Sequence, residues 1–160
     1  MSLRRVFVDQ INENKLVLTG KRYHHLTRVA RLQLGEQIEV TDQVKLYTAR
    51  VTEIKETFIE FSLESAIDPP PRGQRVTLFL SVIKFARFEW AIEKTTELGV
   101  HSVIPIITNQ CNHRLLKAAE KRMSRWQRIA LEAAQQARLM AVPHIDIPID
   151  FNQAITRTNN

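Results

Sequence analysis

The sequence predicts a small β-barrel followed by the opening of an α/β domain. Three observations predict it. The run Ala66-Ile67-Asp68-Pro69-Pro70-Pro71-Arg72-Gly73-Gln74 admits neither a helix nor a central strand, because proline lacks an amide donor and favours extended backbone. Before this run the chain carries several short stretches of alternating polarity and only one helical pattern, the signature of a compact β unit. After it, long apolar runs alternate with helix-period segments, the pattern of a parallel sheet with crossover helices. The expected division is residues 1–68 as the barrel, 69–75 as a short stiff linker and 76–160 as the α/β part.

In the first part, Arg5–Val8 and Leu16–Leu18 are short strand candidates. Gln37–Thr41, Lys45–Ile54 and Phe58–Leu63 are stronger ones, since Ile38 and Val40, then Val51 and a neighbouring Ile54, then Phe58 and Phe61 give an imperfect alternation. Thr41-Asp42-Gln43 supplies a turn. A helix is expected over Lys21–Leu32, with Leu26, Val29 and Leu32 at three-residue spacing and Gly35 ending it.

In the second part, the near-continuous apolar run Arg75–Ile83 predicts a strand buried on both faces. Arg87–Leu98 follows as a helix with Phe88, Ala91, Ile92, Thr95 and Leu98 on one face and Gly99 as its stop. Val100–Thr108 is a second buried strand whose Pro105 must occupy a tolerant position. Leu116–Met140 reads as one long helix, with Met123 and Trp126 on its core stripe. Ile145–Ile149 is a third, short strand interrupted by Pro148, and Phe151–Ile155 begins another helix.

Composition narrows the function classes. The chain has 160 residues, is 44% hydrophobic and 25% charged, and so has the makeup of a packed globular protein. No apolar run reaches the ~20 residues of a membrane span, and the charged start Arg4-Arg5 is unlike a signal peptide. The lone Cys111 forms no internal disulfide and suits a cytoplasmic location. The formal net charge is +6, the footprint of a polyanion binder. Residues 1–75 hold 12 basic and 10 acidic residues and residues 76–160 hold 11 and 7, so the excess charge lies on both sides of the prolines.

Charge also selects the candidate contacts. On an α-helix His24, Arg28 and Arg31 would share one face at i, i+4 and i+7, a stripe able to meet several phosphates. His24 and His25 do not form a metal site, because adjacent helical residues point about 100° apart and no third ligand lies nearby. A second basic series, Lys117, Lys121, Arg122, Arg125 and Arg128, reads as the solvated face of an amphipathic helix. Lys84 and Arg87 lie past the carboxyl end of the first buried strand, where open α/β sheets bind ligands. The four glycines, Gly20, Gly35, Gly73 and Gly99, form neither a dinucleotide-binding loop nor a phosphate-binding loop. There is no nucleophile elbow and no cluster with metal-ligand spacing. The residues alone therefore reach a basic barrel plus an α/β unit, with the chemistry open.

Longer strings carry a resemblance. Residues 84–100 (KFARFEWAIEKTTELGV) are similar to the K-x-x-R-x-E-x-x-I-x-K-x-x-E-L-G-V segment of the RsmE family. His24-His25-Leu26 with Arg28-Val29-Ala30-Arg31, then Ile104-Pro105, then Trp126 with Glu132-Ala133-Ala134-Gln135-Gln136 and Val142-Pro143, resemble further family strings in the family's order. The family methylates N3 of a uridine in small-subunit ribosomal RNA, using S-adenosylmethionine. The resemblance implies a PUA-like RNA-binding barrel followed by the first part of a SPOUT trefoil-knot domain, with small-subunit ribosomal RNA or the assembled subunit as partner and a homodimer when full length. It also implies RNA contacts at Arg4, Arg5, His24, His25, Arg28, Arg31, Lys84 and Arg87.

Three departures stand out. The family's Gly-Pro-Glu-Gly-Gly and Leu-Arg-x-Glu-Thr-Ala strings, which build the S-adenosylmethionine pocket, do not occur in these residues. The chain is therefore expected to be an inactive fragment without the knot, binding RNA while its cofactor site lies outside it. Phe85 and Ala86 replace the usual Gly-Asp, and Gln110 and Leu139 stand where arginines are usual. The alternative expectation is a stand-alone RNA-binding or ribosome-assembly module without catalysis.

Overall fold

The computed structural model describes residues 3–11, 15–69, 73–108 and 118–158. Part of the proline linker, together with Gln110, Cys111, Leu116 and Lys117, lies outside the described residues. The chain divides into two compact units, Met1–Pro71 and Arg72–Asn160.

The first unit is a five-stranded sheet curled into a half-barrel. Its strands are β1 (Arg5–Phe7), β2 (Lys15–Thr19), β3 (Gln37–Thr41), β4 (Leu46–Ile54) and β5 (Phe58–Ala66), in the order β1-β3-β4-β5-β2. The β1–β3 pair is parallel and the others are antiparallel. Register shifts at Thr48/Ala49 and Val51/Glu53 bend the long β4–β5 pair, as extra residues in one strand do. The alternation in Lys15–Thr19 turns Leu16 and Leu18 inward. They join Val6, Ile38, Val40, Ala49, Val51, Ile59 and Phe61 in one core. The turn after β3 is built by Asp42, whose carboxylate accepts from the amides of Val44 and Lys45 at 3.1 and 2.7 Å.

The helical segment differs from its sequence pattern. Gly20–His24 is a short α-helix, α1, and His25–Val29 continues as a π-helix, where the Ala30 amide donates to the His25 carbonyl at 2.9 Å. The i→i+5 step inserts one extra residue in the turn. The apolar spacing is thereby thrown out of phase: Leu26 and Leu32 are buried, but Val29 is 71% exposed. Arg31, rather than Gly35, closes the segment in a left-handed conformation (φ 51°), and the Leu32 amide returns to the Leu26 carbonyl at 3.0 Å.

The second unit is a parallel sheet with helices. Its elements are β6 (Thr77–Ser81), α2 (Phe85–Glu97), β7 (Ser102–Ile107), α3 (Met123–Gln136), β8 (His144–Ile145), β9 (Ile149–Asp150) and α4 (Phe151–Thr158). Strand β7 is central, with β6 on one side and β8 and β9 on the other. Strand β6 is only partly buried, unlike the doubly covered strand its composition suggests; among the described residues it pairs with β7 alone. The expected third strand is split: β8 pairs with Ser102 and Val103, and β9 with Ile106 and Ile107. Pro105 falls between these pairings, where its missing amide leaves no ladder position empty.

The expected long helix is also interrupted, by a 3-10 turn at Glu120–Arg122 ahead of α3. Helices α2 and α3 pack through Phe88, Ile92, Trp126 and Ala130 against Val82, Val103 and Ile145. Helix α2 ends with Gly99 at φ 83°, the Gly99 amide donating to Thr96 at 2.8 Å and the Val100 amide to Thr95 at 3.1 Å. This is a Schellman cap. Helix α3 ends with the same pair of bonds, Arg138 to Gln135 at 3.2 Å and Leu139 to Ala134 at 2.9 Å, around Arg138 at φ 53°.

Candidate nucleic-acid interface

In the first unit the basic residues gather around the α1/π segment. Leu26 anchors the segment in the core, which leaves His24, His25, Arg28 and Arg31 exposed. The π-turn and the left-handed Arg31 replace the straight i, i+4, i+7 stripe by a more splayed set. Arg4, distant in sequence, arrives beside it: its Nη1 donates to the Ala30 carbonyl at 3.2 Å, next to Arg31. The His24 ring meets Tyr23 edge-on at 5.2 Å between centroids. Arg28 and Arg31 form no ion pair among the described residues, so their charge is available to an external anion.

Two neighbouring arginines are engaged otherwise. Arg22 grips Asp9 bidentately at 2.6 and 2.8 Å. That hydrogen bond, aided by the guanidinium charge, holds the Asp9 carboxyl below the usual aspartate range. The sequence groups Arg5 with Arg4, yet the Arg5 side chain is buried in register with Glu39, at 2.8 Å from the carboxylate. The Arg5 guanidinium is thus spent inside the sheet, whereas that of Arg4 reaches the Ala30 carbonyl at the surface. Arg5 neutralises Glu39 within the sheet, as a buried charge requires.

In the second unit Lys84 and Arg87 are exposed at the start of α2 and make no ion pair among the described residues. Glu89, one turn on, accepts from Arg122 Nη1 at 2.7 Å and Arg125 Nε at 2.9 Å through the same oxygen. The Arg125 hydrogen bond above all, and Arg122 beside it, hold the Glu89 carboxyl low against the opposing effect of its burial. Arg122 also lies over the Phe85 ring, 4.2 Å from its centroid. Sequence reasoning treats Arg122 and Arg125 as a solvated face. It misses this cluster because the partners are 33 and 36 residues apart and meet only when α3 docks on α2. Lys94 forms pairs with Glu93 and Glu97 at 2.8 and 2.9 Å, both along the exposed helix. Each unit thus exposes cations that have no carboxylate partner among the described residues, Arg28 and Arg31 in the first and Lys84 and Arg87 in the second, an arrangement that suits a polyanion.

Residues 70–160 match the model of an RNA methyltransferase domain, and residues 18–64 that of an RNA methyltransferase PUA domain. Ribosomal RNA small subunit methyltransferase E of Mesomycoplasma hyopneumoniae is 29% identical over 98% of this chain and 67% of its own length. The Bacillus subtilis protein of the same name is 31% identical over 97% of this chain and 64% of its own length. A crystal structure of ribosomal RNA small subunit methyltransferase E from Neisseria gonorrhoeae bound to S-adenosyl methionine superposes with a TM-score of 0.85 at 26% identity, covering 96% of this chain and 65% of that one. The chain spans about half to two thirds of the length of the curated relatives it matches. The half-barrel is thus PUA-like, and the α/β unit corresponds to the first part of a SPOUT domain.

Proposed function

We propose, from the premise that the chain belongs to the RNA methyltransferase family whose matched relatives are the small-subunit methyltransferases E, that it is the RNA-holding part of an enzyme methylating N3 of a uridine in small-subunit ribosomal RNA. The observation that carries the reading is the RNA methyltransferase match over residues 70–160. The exposed cations support it. Arg4, His24, His25, Arg28 and Arg31 in the first unit, and Lys84 and Arg87 in the second, are the proposed contacts to the RNA backbone. Arg5 is left out because Glu39 occupies its buried guanidinium.

The methyl donor is S-adenosylmethionine, which supplies an electrophilic methyl group to the uridine nitrogen. The residues present do not fit it. A nucleoside needs a close backbone approach, for which glycine is suited. The glycines of the second unit are Gly73, before β6, and Gly99, which caps α2. Neither lies at the carboxyl end of β6 or β7. No transfer step is therefore assigned to these residues. Their part is to bind and orient RNA. N3 lies on the Watson–Crick edge, so the target uridine must be unpaired or flipped out, and cations along the strand would hold the backbone while it is.

The test combines two titrations of the 160-residue chain. Small-subunit RNA should bind with a steep salt dependence. Arg28→Ala/Arg31→Ala should weaken binding and flatten that slope by roughly 0.7–0.9 for each phosphate no longer neutralised. S-adenosylmethionine should give no binding heat. Saturable cofactor binding would place a donor site within these residues and refute their assignment as RNA-holding alone. An unchanged slope in the double variant would remove the α1/π segment from the interface.

A further inference from the structure

Arg122 is held unlike the other exposed cations of the second unit. Its guanidinium carbon sits 4.2 Å from the centre of the Phe85 ring, and its Nη1 donates to Glu89 at 2.7 Å. Phe85 in turn leans on Trp126 at 6.3 Å, and Trp126 is fully buried against Phe88 at 4.6 Å. A ring, a carboxylate and a packed aromatic base therefore fix this guanidinium, yet the Arg122 side chain is still 39% exposed. Fixing a long side chain in advance removes much of the ordering entropy that a later contact would otherwise cost.

The arrangement makes little sense as a phosphate trap. Arg122 and Arg125 share the single carboxylate of Glu89, which leaves one net positive charge for two arginines. Lys84 and Arg87 are the better anion ligands, since neither is paired among the described residues. What Arg122 offers instead is a rigid plane. Nucleobases stack on guanidinium planes as they do on aromatic rings, and a cation backed by a ring extends the stack.

We infer that Arg122 is a base-stacking residue, its guanidinium backed by Phe85 and oriented by Glu89 to take the face of an unpaired nucleobase in an RNA strand whose phosphates meet Lys84 and Arg87. Phe85 and Glu89 are positioning residues. The inference rests on the RNA-binding reading above and adds a residue and a mode of recognition to it. Phe85, which stands where the family usually has glycine, thereby gains a role: glycine would leave Arg122 without its backing ring.

The experiment compares a labelled single-stranded oligouridylate with an abasic ribose-phosphate oligomer of the same length, by fluorescence anisotropy at fixed salt, using the whole chain. The wild type should bind oligouridylate about tenfold more tightly than the abasic strand, the gain expected of one base stack. Arg122→Lys keeps the charge and removes the plane, so it should abolish the preference and leave abasic affinity unchanged. Phe85→Leu keeps Arg122 and removes its support, and should reduce the preference in part, which provides a second reading if the lysine variant folds poorly. A preference that survives in both variants overturns the inference, as does an equal loss for both oligomers in Arg122→Lys. If the wild type binds both oligomers alike, stacking fails while RNA binding stands. If it binds neither, the RNA reading itself fails.

Discussion

Arg31→Gly should make the first unit more stable and a poorer RNA binder in the same molecule. Arg31 occupies a left-handed conformation at φ 51°, which puts a side-chain-bearing residue about 1–2 kcal/mol above its preferred backbone. Glycine has no such penalty but loses about 0.4–1 kcal/mol more entropy on folding. The Arg31 carbonyl keeps its hydrogen bond from Gln33 in either case, and the guanidinium forms no ion pair among the described residues. The net expectation is a gain of about 0.5–1 kcal/mol, or about 4 °C in melting temperature for a domain of this size. The two units report separately, because Tyr23 and Tyr47 lie in the first and Trp90 and Trp126 in the second. The melting curve read from near-ultraviolet circular dichroism of the tyrosines should show the shift. Affinity for small-subunit RNA should fall several-fold, because one phosphate is no longer neutralised. A melting temperature that is unchanged or lower would refute the strain argument. Unchanged affinity would refute the reason given for an arginine here.

Two further expectations concern the second unit. Gly99→Ala should destabilise it by about 1 kcal/mol, read from the tryptophan melting curve; an added Cβ meets nothing within 4 Å, so the loss is purely conformational, and an unchanged curve would contradict the left-handed cap. Glu89→Gln should lower stability by about 1–2 kcal/mol at neutral pH. Because the folded carboxyl is held below its ordinary value by Arg125 and Arg122, its contribution is complete above the unfolded pKa of about 4.3 and is lost as pH falls through the lower folded value. Wild-type and variant melting temperatures should therefore converge in acid, and a gap that persists at the lowest pH would assign the loss to packing instead.

Much of the fold is legible in the sequence where one physical rule dominates. Two-residue alternation of Ile38 and Val40 locates β3, and helix-period apolar residues locate α2 and the core stripe of α3 with Trp126 at its centre. Legibility fails where local spacing is ambiguous. Leu26, Val29 and Leu32 fit an α-helix as well as anything, and only the packing of Leu26 and Leu32 selects the π-turn that turns Val29 outward. The run before Ser81 reads as doubly buried because hydrophobicity records composition, not whether a neighbour exists on each side. The basic residues of the candidate interface are visible as charges. Which of them are spent internally is not, since Arg5 on Glu39 and Arg122 on Glu89 depend on contacts across 34 and 33 residues.

The strand order of the half-barrel also dictates a sequence of events. The meander β3-β4-β5 is built from neighbours joined by short turns, whereas both edge strands come from the start of the chain. Strand β1 waits for Glu39 and Val40 before it can pair, and Lys15 in β2 waits for Ser62. Closing such loops before their contacts form is slow. Strand β1 therefore stays unpaired until β3 is made, and β2 until β5 is made. The central meander is the natural nucleus. Substitutions in it, such as Ile59→Val, should slow folding, whereas equivalent changes at Leu16 should chiefly hasten unfolding.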